Sequence, residues 1–271
     1  MKAILLEEQD GFFCINNKYM IIRFLGTGTS TGIPEIGCNC SVCTSSDKKD
    51  RRLRASVQII DAETNLFIDC SPDFRQQVLS LPFQKIDGFL ITHEHYDHVG
   101  GIDDLRPYSR FGAVDLYVEL KVANALKERM PYCFLEHKYA GVPNIELRLI
   151  DNLKPFKINS IEVIPIRVIH YKLPILGYRI RNFAYLTDVK YVPDEEIEKL
   201  SNLDVLVLSA LRLTSHPSHQ NLEEAIVLSQ KINPKMTYLT HMSHQMGLHE
   251  EMEKRLPNNI HFAWDGLELS V

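Results

Sequence analysis

The chain has 271 residues, 45% of them hydrophobic and 24% charged, with 13 Gly, 13 Pro and a formal net charge of −5. That apolar content excludes low-complexity disorder, the lack of a triplet or heptad period excludes collagen-like and coiled-coil architectures, and the length suits one large domain or two small ones. A mildly acidic balance also lacks the overall basic field that non-specific nucleic-acid binders usually carry.

Residues 1–20 show no clear period and read as an N-terminal extension ahead of a single domain spanning 21–271. The opening Ala3-Ile4-Leu5-Leu6 is cut short by Glu7-Glu8-Gln9-Asp10, and no apolar run approaches the roughly 20 residues of a membrane span, so the chain is read as cytoplasmic with no membrane partner. Residues 21–25 read as a strand and 26–34 as a turn-rich loop. Cys38, Cys40 and Cys43 follow; three thiols within six residues cannot pair completely as disulfides, and in a reducing compartment they read first as metal ligands. Segments 55–61 and 66–69 look like paired strands around Glu63-Thr64-Asn65, 72–81 like a short helix, and 88–92 like a buried strand ending at His93. Helices are expected over 101–109, 120–130 and 222–232, and strands over 145–149, 161–168, 177–181, 184–186, 205–208 and 236–240. Strands and helices alternate without a linker or repeat, so the expected class is one α/β domain.

Thr92-His93-Glu94-His95-Tyr96-Asp97-His98 sits directly after the 88–92 strand and puts four residues of metal-binding type into six positions. A strand end is rigid while the loop beyond it can fold side chains together. Single residues recur at other strand ends: His170 after 163–169, Asp188 after 184–187 and His241 after 236–240. Taken singly, each would more often be a hydrogen-bonded histidine or a turn aspartate. Together they repeat one arrangement, an apolar strand delivering one ligand at its tip.

On these residues the chain resembles the metallo-β-lactamase fold superfamily, whose H-x-H-x-D-H motif is matched by His93, His95, Asp97 and His98. The resemblance extends over nearly the whole chain from Ile21 and implies a four-layer αββα sandwich with a two-metal site at the sheet edge. It implies one divalent metal on His93, His95 and His170, a second on Asp97, His98 and His241, and Asp188 bridging them, with zinc or manganese as the ions. Two metals roughly 3.5–4 Å apart can lower the pKa of a bridging water and clamp an in-line phosphoryl displacement. Asp188 stands where the β-lactamases themselves use a cysteine ligand, which favours hard, oxygen-rich substrates over lactams.

Within the superfamily the chain resembles the cyclic-phosphate phosphodiesterases of the carbon–phosphorus lyase pathway, notably in Leu239-Thr240-His241-Met242-Ser243-His244-Gln245. Those enzymes carry a Cys3His structural zinc, which implies His244 as the fourth ligand beside Cys38, Cys40 and Cys43. Such a zinc would pin the loop bearing His241. The superfamily's phosphodiesterases place a histidine just before a helix to protonate the departing alkoxide. His219 is that candidate, with His216 as a second contact; helix capping is the other reading for either. Arg106 and Arg212 are candidate phosphate ligands on loops near the site, where arginines are more often solvated. Cys14, Cys70 and Cys133 read as packing residues, and His137, His249 and His261 as surface or structural histidines.

The expected activity is hydrolysis of a small phosphodiester, a cyclic ribose phosphate being one candidate, through a metal-bridging hydroxide. A small-molecule substrate is expected rather than nucleic acid, and the resemblance implies a homodimer. Two other readings stand beside it. A tRNA 3′-processing endonuclease would carry a Lys/Gly/Pro-rich arm, which is not found in the sequence. A cofactor-biosynthesis metalloprotein, as in the pyrroloquinoline-quinone-associated members, shares a similar cysteine cluster, but the complete ligand motif together with His219 argues for turnover.

Overall fold

Strand residues alternate between two apolar environments, and that alternation sets the layers. The computed structural model describes residues 19–135, 139, 141–151 and 153–271. One sheet runs through β1 (Ile21–Gly26), β2 (Ser56–Asp61), β3 (Thr64–Ile68), β4 (Gly88–Leu90), β5 (Val114–Val118) and β6 (Ile145–Leu149) in that spatial order. The other runs through β7 (Phe156–Ile158), β8 (Ile161–His170), β9 (Leu173–Ile180), β10 (Phe183–Leu186), β11 (Val205–Ser209), β12 (Met236–Thr240) and β13 (Ile260–Phe262). The last strand, β14 (Glu268–Ser270), returns to pair antiparallel with β1, so among the described residues each sheet has seven strands. Antiparallel hairpins give way to parallel pairing from β3 to β6 and from β10 to β13.

Ile22, Phe24, Leu66, Ile68 and Leu90 of the first sheet meet Val163, Tyr178, Tyr185 and Val207 of the second in one core. Their strand neighbours Phe67, Phe89 and Leu116 point outward and pack with residues of α1 (Phe74–Val78), α2 (Tyr96–Val99) and α3 (Leu120–Arg129). On the opposite side Ala184, Leu186, Leu206 and Leu208 pack with residues of α4 (Asp194–Ile197), α5 (Leu222–Ile232) and α6 (His249–Glu253). The result is the expected αββα sandwich.

Several local expectations are corrected. The β2–β3 hairpin turns at Ala62-Glu63, with Ala62 at φ +53°, so Thr64 and Asn65 belong to a strand rather than the turn. Segment 101–109 forms a 3-10 helix over Ile102–Phe111, in which Pro107 has no N–H to continue an α ladder. The three-residue strands β7, β13 and β14 are too short to show a period. Met20, assigned to the extension from sequence, is fully buried and pairs its backbone with Val271 at 2.9 and 2.8 Å. Residues 1–18, with Cys14, lie outside the described residues, as does His137. Among the described residues no helix is long and apolar enough to cross a membrane.

Candidate metal centre

Five strand ends meet at one edge of the sandwich: β3 leads into Asp69, β4 into Thr92 and His93, β8 ends in His170, β10 leads into Asp188 and β12 into His241. Asp69, Asp188 and His241 take left-handed backbone, φ +62°, +53° and +58°. L-residues rarely adopt that conformation, and it clusters where the surroundings over-determine the backbone for a purpose. Here it turns the chain sharply off each strand.

The ligand-type atoms of His93, His95 and His170 lie within 4.8 Å of one another, as do those of Asp97, His98 and His241. A third trio, His93, His98 and Asp188, takes one member from each of the first two and adds Asp188 between them. His93, His98, Asp188 and His241 are buried, while Asp97 is half-buried and His95 is open towards solvent.

Hydrogen bonds fix which nitrogen of several rings is left over. Asp69 accepts from the Thr92 N–H at 2.8 Å, from the Thr92 hydroxyl and from His98 Nδ1 at 2.7 Å. The Thr92 hydroxyl, already donating to Asp69, accepts from His93 Nδ1 at 2.9 Å. His170 Nδ1 donates to the Ser218 carbonyl at 2.9 Å. His93, His98 and His170 therefore each keep a lone pair on Nε2, the arrangement that orients imidazoles towards a metal.

His98 gives the test of fit. Its buried Nε2 has no hydrogen-bond partner, yet it lies 3.2 Å from an Asp97 oxygen and 2.9 Å from an Asp188 oxygen. An imidazole lone pair and two carboxylates facing one another form a donor set for a cation. The electrostatics agree. Burial keeps the His93 and His95 imidazoles below their ordinary range and hence neutral. Burial opposes ionisation of Asp188, but His241 and His98 hold its carboxyl well below the usual range. Burial pulls His98 down, and the Asp97, Asp188 and Asp69 carboxylates more than reverse it, so this spot favours a positive charge, which a cation on Nε2 would supply in place of a proton. These residues fit a pair of divalent ions.

A second set lies apart in kind. Cys38, Cys40, Cys43 and His244 bring their ligand atoms within 4.8 Å of one another, with His244 Nδ1 3.4 Å from the Cys38 sulfur and 3.2 Å from the Cys40 sulfur. The Cys43 backbone N–H and then His244 lower the Cys40 thiol to about 6, whereas burial raises Cys43 to about 11. Three sulfurs and one imidazole are a tetrahedral zinc donor set.

The helix-cap reading of His219 and His216 is settled by Asn221, whose side chain accepts from the Glu224 N–H at 2.8 Å while Glu224 accepts from the Asn221 N–H at 2.9 Å. This box caps α5 at Asn221, two residues after His219. His219 Nδ1 lies 3.3 Å from an Asp188 oxygen, is buried without a hydrogen-bond partner, and forms a further close trio with His170 and Asp188. Burial drives the His219 imidazole down to about 3. His216 is ring-to-ring with His219 at 5.1 Å. Arg212 donates to the Thr214 and Ser215 carbonyls and to Gln245, so it staples the loop that carries both histidines. Arg106 spends its guanidinium on Asp103 and the Gly141 carbonyl, away from the cluster's own hydrogen bonds. Cys70 and Cys133 are buried in the outer core of the first sheet, His249 is buried against Arg52 and Asp50, and His261 pairs with Glu253.

Asp69 escaped the sequence reading although it ends the apolar run 66–68 just as Asp188 and His241 end theirs. Asp69→Asn keeps the shape but removes the charge and one acceptor from His98 and Thr92. Bound metal, measured by chelator competition, is expected to weaken about 10- to 100-fold; unchanged affinity would show that His98 is oriented without Asp69.

A family model described as a β-lactamase superfamily domain matches residues 64–242, from β3 to the residue after His241. The chain is 45% identical over 249 residues to the octanoyltransferase of Porphyromonas gingivalis, covering 91% of this chain and 51% of that protein, so it spans about half the length of that relative. It is 40% identical to a crystal structure described as a new diphosphatase from the PhnP family, with a TM-score of 0.88 and coverage of 93% of this chain and 97% of that one. Zn(2+)-bound PqqB from Methylobacterium extorquens shares the fold at 18% identity and a TM-score of 0.76, over 93% of this chain and 100% of the other.

Proposed function

Because the chain belongs to the β-lactamase superfamily, as a metal-dependent hydrolase of that fold, we propose that it hydrolyses small phosphodiesters with two divalent ions at the strand-end cluster. The observation that carries this reading is the His98 Nε2 facing Asp97 and Asp188, where the two histidine sets join. His93, His95 and His170 would hold one ion, Asp97, His98 and His241 the other, and Asp188 both. Such a pair supplies Lewis acidity at a phosphoryl oxygen and activates water for in-line attack. Overall, water and a phosphodiester give a phosphomonoester and an alcohol: one P–O bond forms, one breaks, and the leaving oxygen takes a proton.

His219 is the proposed proton donor to that oxygen. Burial disfavours its charged form in the free protein, so the role requires that the negative phosphate of a bound substrate favour the proton again. His219→Ala is expected to retain metal but lower kcat about 10²- to 10⁴-fold; a rate near wild type would move the role to His216. Cys38, Cys40, Cys43 and His244 are proposed to hold a structural zinc.

A P–O–P substrate is the second reading, favoured by the 40% identity to the PhnP-family diphosphatase. Zinc- and manganese-loaded protein should be assayed on bis(p-nitrophenyl) phosphate, ribose cyclic phosphate, a dinucleoside diphosphate and precursor tRNA. Turnover of a small diester supports the first reading and selective turnover of the diphosphate the second. Inertness towards all small substrates, or cleavage of tRNA alone, overturns both.

A further inference from the structure

The hairpin between β8 and β9 turns through only Tyr171 and Lys172, with His170 paired to Leu173 across it. Two-residue turns of this kind favour Asn and Gly, because left-handed backbone is needed. Tyr171 nevertheless takes φ +57°, an outlier for a bulky side chain, and the residue is 57% exposed. Neither turn geometry nor burial of the ring in a core accounts for a tyrosine there.

Its position is at the metal centre's rim. His170, the residue before it, has its ring 4.6 Å from that of His219 and 5.3 Å from that of His95. The β8–β9 ladder is continuous from Val163↔Ile180 to His170↔Leu173, so the tip is held by a long two-stranded arm rather than a loose loop. Lys172 Nζ lies 5.4 Å from the Tyr171 ring centroid, setting a cation beside a flat aromatic face. Two more open tyrosines stand on the chain segments that bear candidate ligands. Tyr191, 53% exposed, bridges its backbone to Ile169, and Tyr96, 67% exposed, separates His95 from Asp97.

An exposed tyrosine offers rigid, flat contact area with little side-chain entropy to lose. A sugar phosphate has only a small C–H face to lay on it, whereas a nucleotide presents a flat base and an anionic phosphate together, the fuller match to the ring and the ammonium. Resting on the phosphoester-hydrolase reading above, we infer that the substrate carries a nucleobase, which stacks on Tyr171 while Lys172 meets the attached phosphate.

The test compares thymidine 5′-p-nitrophenyl phosphate with methyl p-nitrophenyl phosphate, which share a leaving group and differ in the nucleoside. Metal-loaded wild type is expected to prefer the thymidine ester about tenfold or more in kcat/KM. Tyr171→Ala should bring the ratio close to one, mainly through KM for the thymidine ester, and Tyr171→Phe should keep it. Tyr171→Asn, suited to the turn, should lose the preference like the alanine variant and guards against a folding defect. A ratio near one in wild type, or one untouched by both Tyr171→Ala and Tyr171→Asn, overturns the inference while leaving the hydrolase reading in place. An equal fall in kcat on both probes also overturns it, since that marks a structural role. Turnover of neither probe by wild type removes the phosphodiester reading and the inference with it.

Discussion

Asp188→Ala is expected to abolish diester turnover, by at least about a thousandfold or ~4 kcal/mol in the barrier, and to release divalent metal from both halves of the centre. Asp188 is the residue through which those halves communicate. One of its oxygens lies 2.9 Å from His98 Nε2, and the other lies 3.3 Å from both His241 Nε2 and His219 Nδ1. Removing the carboxylate leaves buried imidazoles facing one another without the negative charge that balances a cation, and opens the space the side chain fills. The backbone adds to the effect: at φ +53° aspartate tolerates the left-handed region better than alanine does. Asp188→Asn separates the contributions, since it keeps the shape and the turn but not the charge. Metal counting by mass spectrometry beside kinetics on bis(p-nitrophenyl) phosphate makes the check. Full metal content with the rate intact in both variants would place the chemistry elsewhere.

The strand-end cluster was legible in the sequence for a physical reason. A buried strand is a run of apolar residues, so a His or Asp at its end stands out, and His93, His170, Asp188 and His241 all do. Asp69 stands at the same kind of place but reads as a turn aspartate, because its partners Thr92 and His98 come from another strand's end and no local period reveals the contact. The partners of the arginines were not legible for the complementary reason. A guanidinium's partner is chosen by tertiary geometry, and Arg106 finds Asp103 one turn earlier on the same 3-10 helix. His219 was ambiguous between capping and chemistry until Asn221 was seen to cap α5. The layers were readable because alternate residues of β3, β10 and β11 are apolar on both faces. The edge strands β7, β13 and β14 are too brief to be read that way.

If the proposed sites are loaded, His244→Ala is expected to remove one zinc per chain and also to slow catalysis about 10- to 100-fold, although His244 is not a member of the strand-end cluster. The link is the short run from His241 to His244. Met242 exchanges backbone hydrogen bonds with the loop at Thr27 and Thr29, each at 3.0 Å, and the Ser243 N–H donates to the Leu211 carbonyl at 2.9 Å. His244 then ties this run to Cys38 and Cys40. His241 sits at φ +58°, a conformation that persists for a histidine only while its surroundings enforce it. Releasing this end would let His241 relax and loosen its hold on a metal held together with Asp97 and His98. Cys40→Ser should give the same pair of effects from the other side of the site, since a hydroxyl is a poor replacement for a thiolate. Thermal unfolding should also shift downward in both variants, because a metal that binds only the folded chain stabilises it. Loss of zinc with kcat unchanged would make the cysteine site a separate clasp. Wild-type protein that retains no zinc beyond the active-site pair would remove the site altogether.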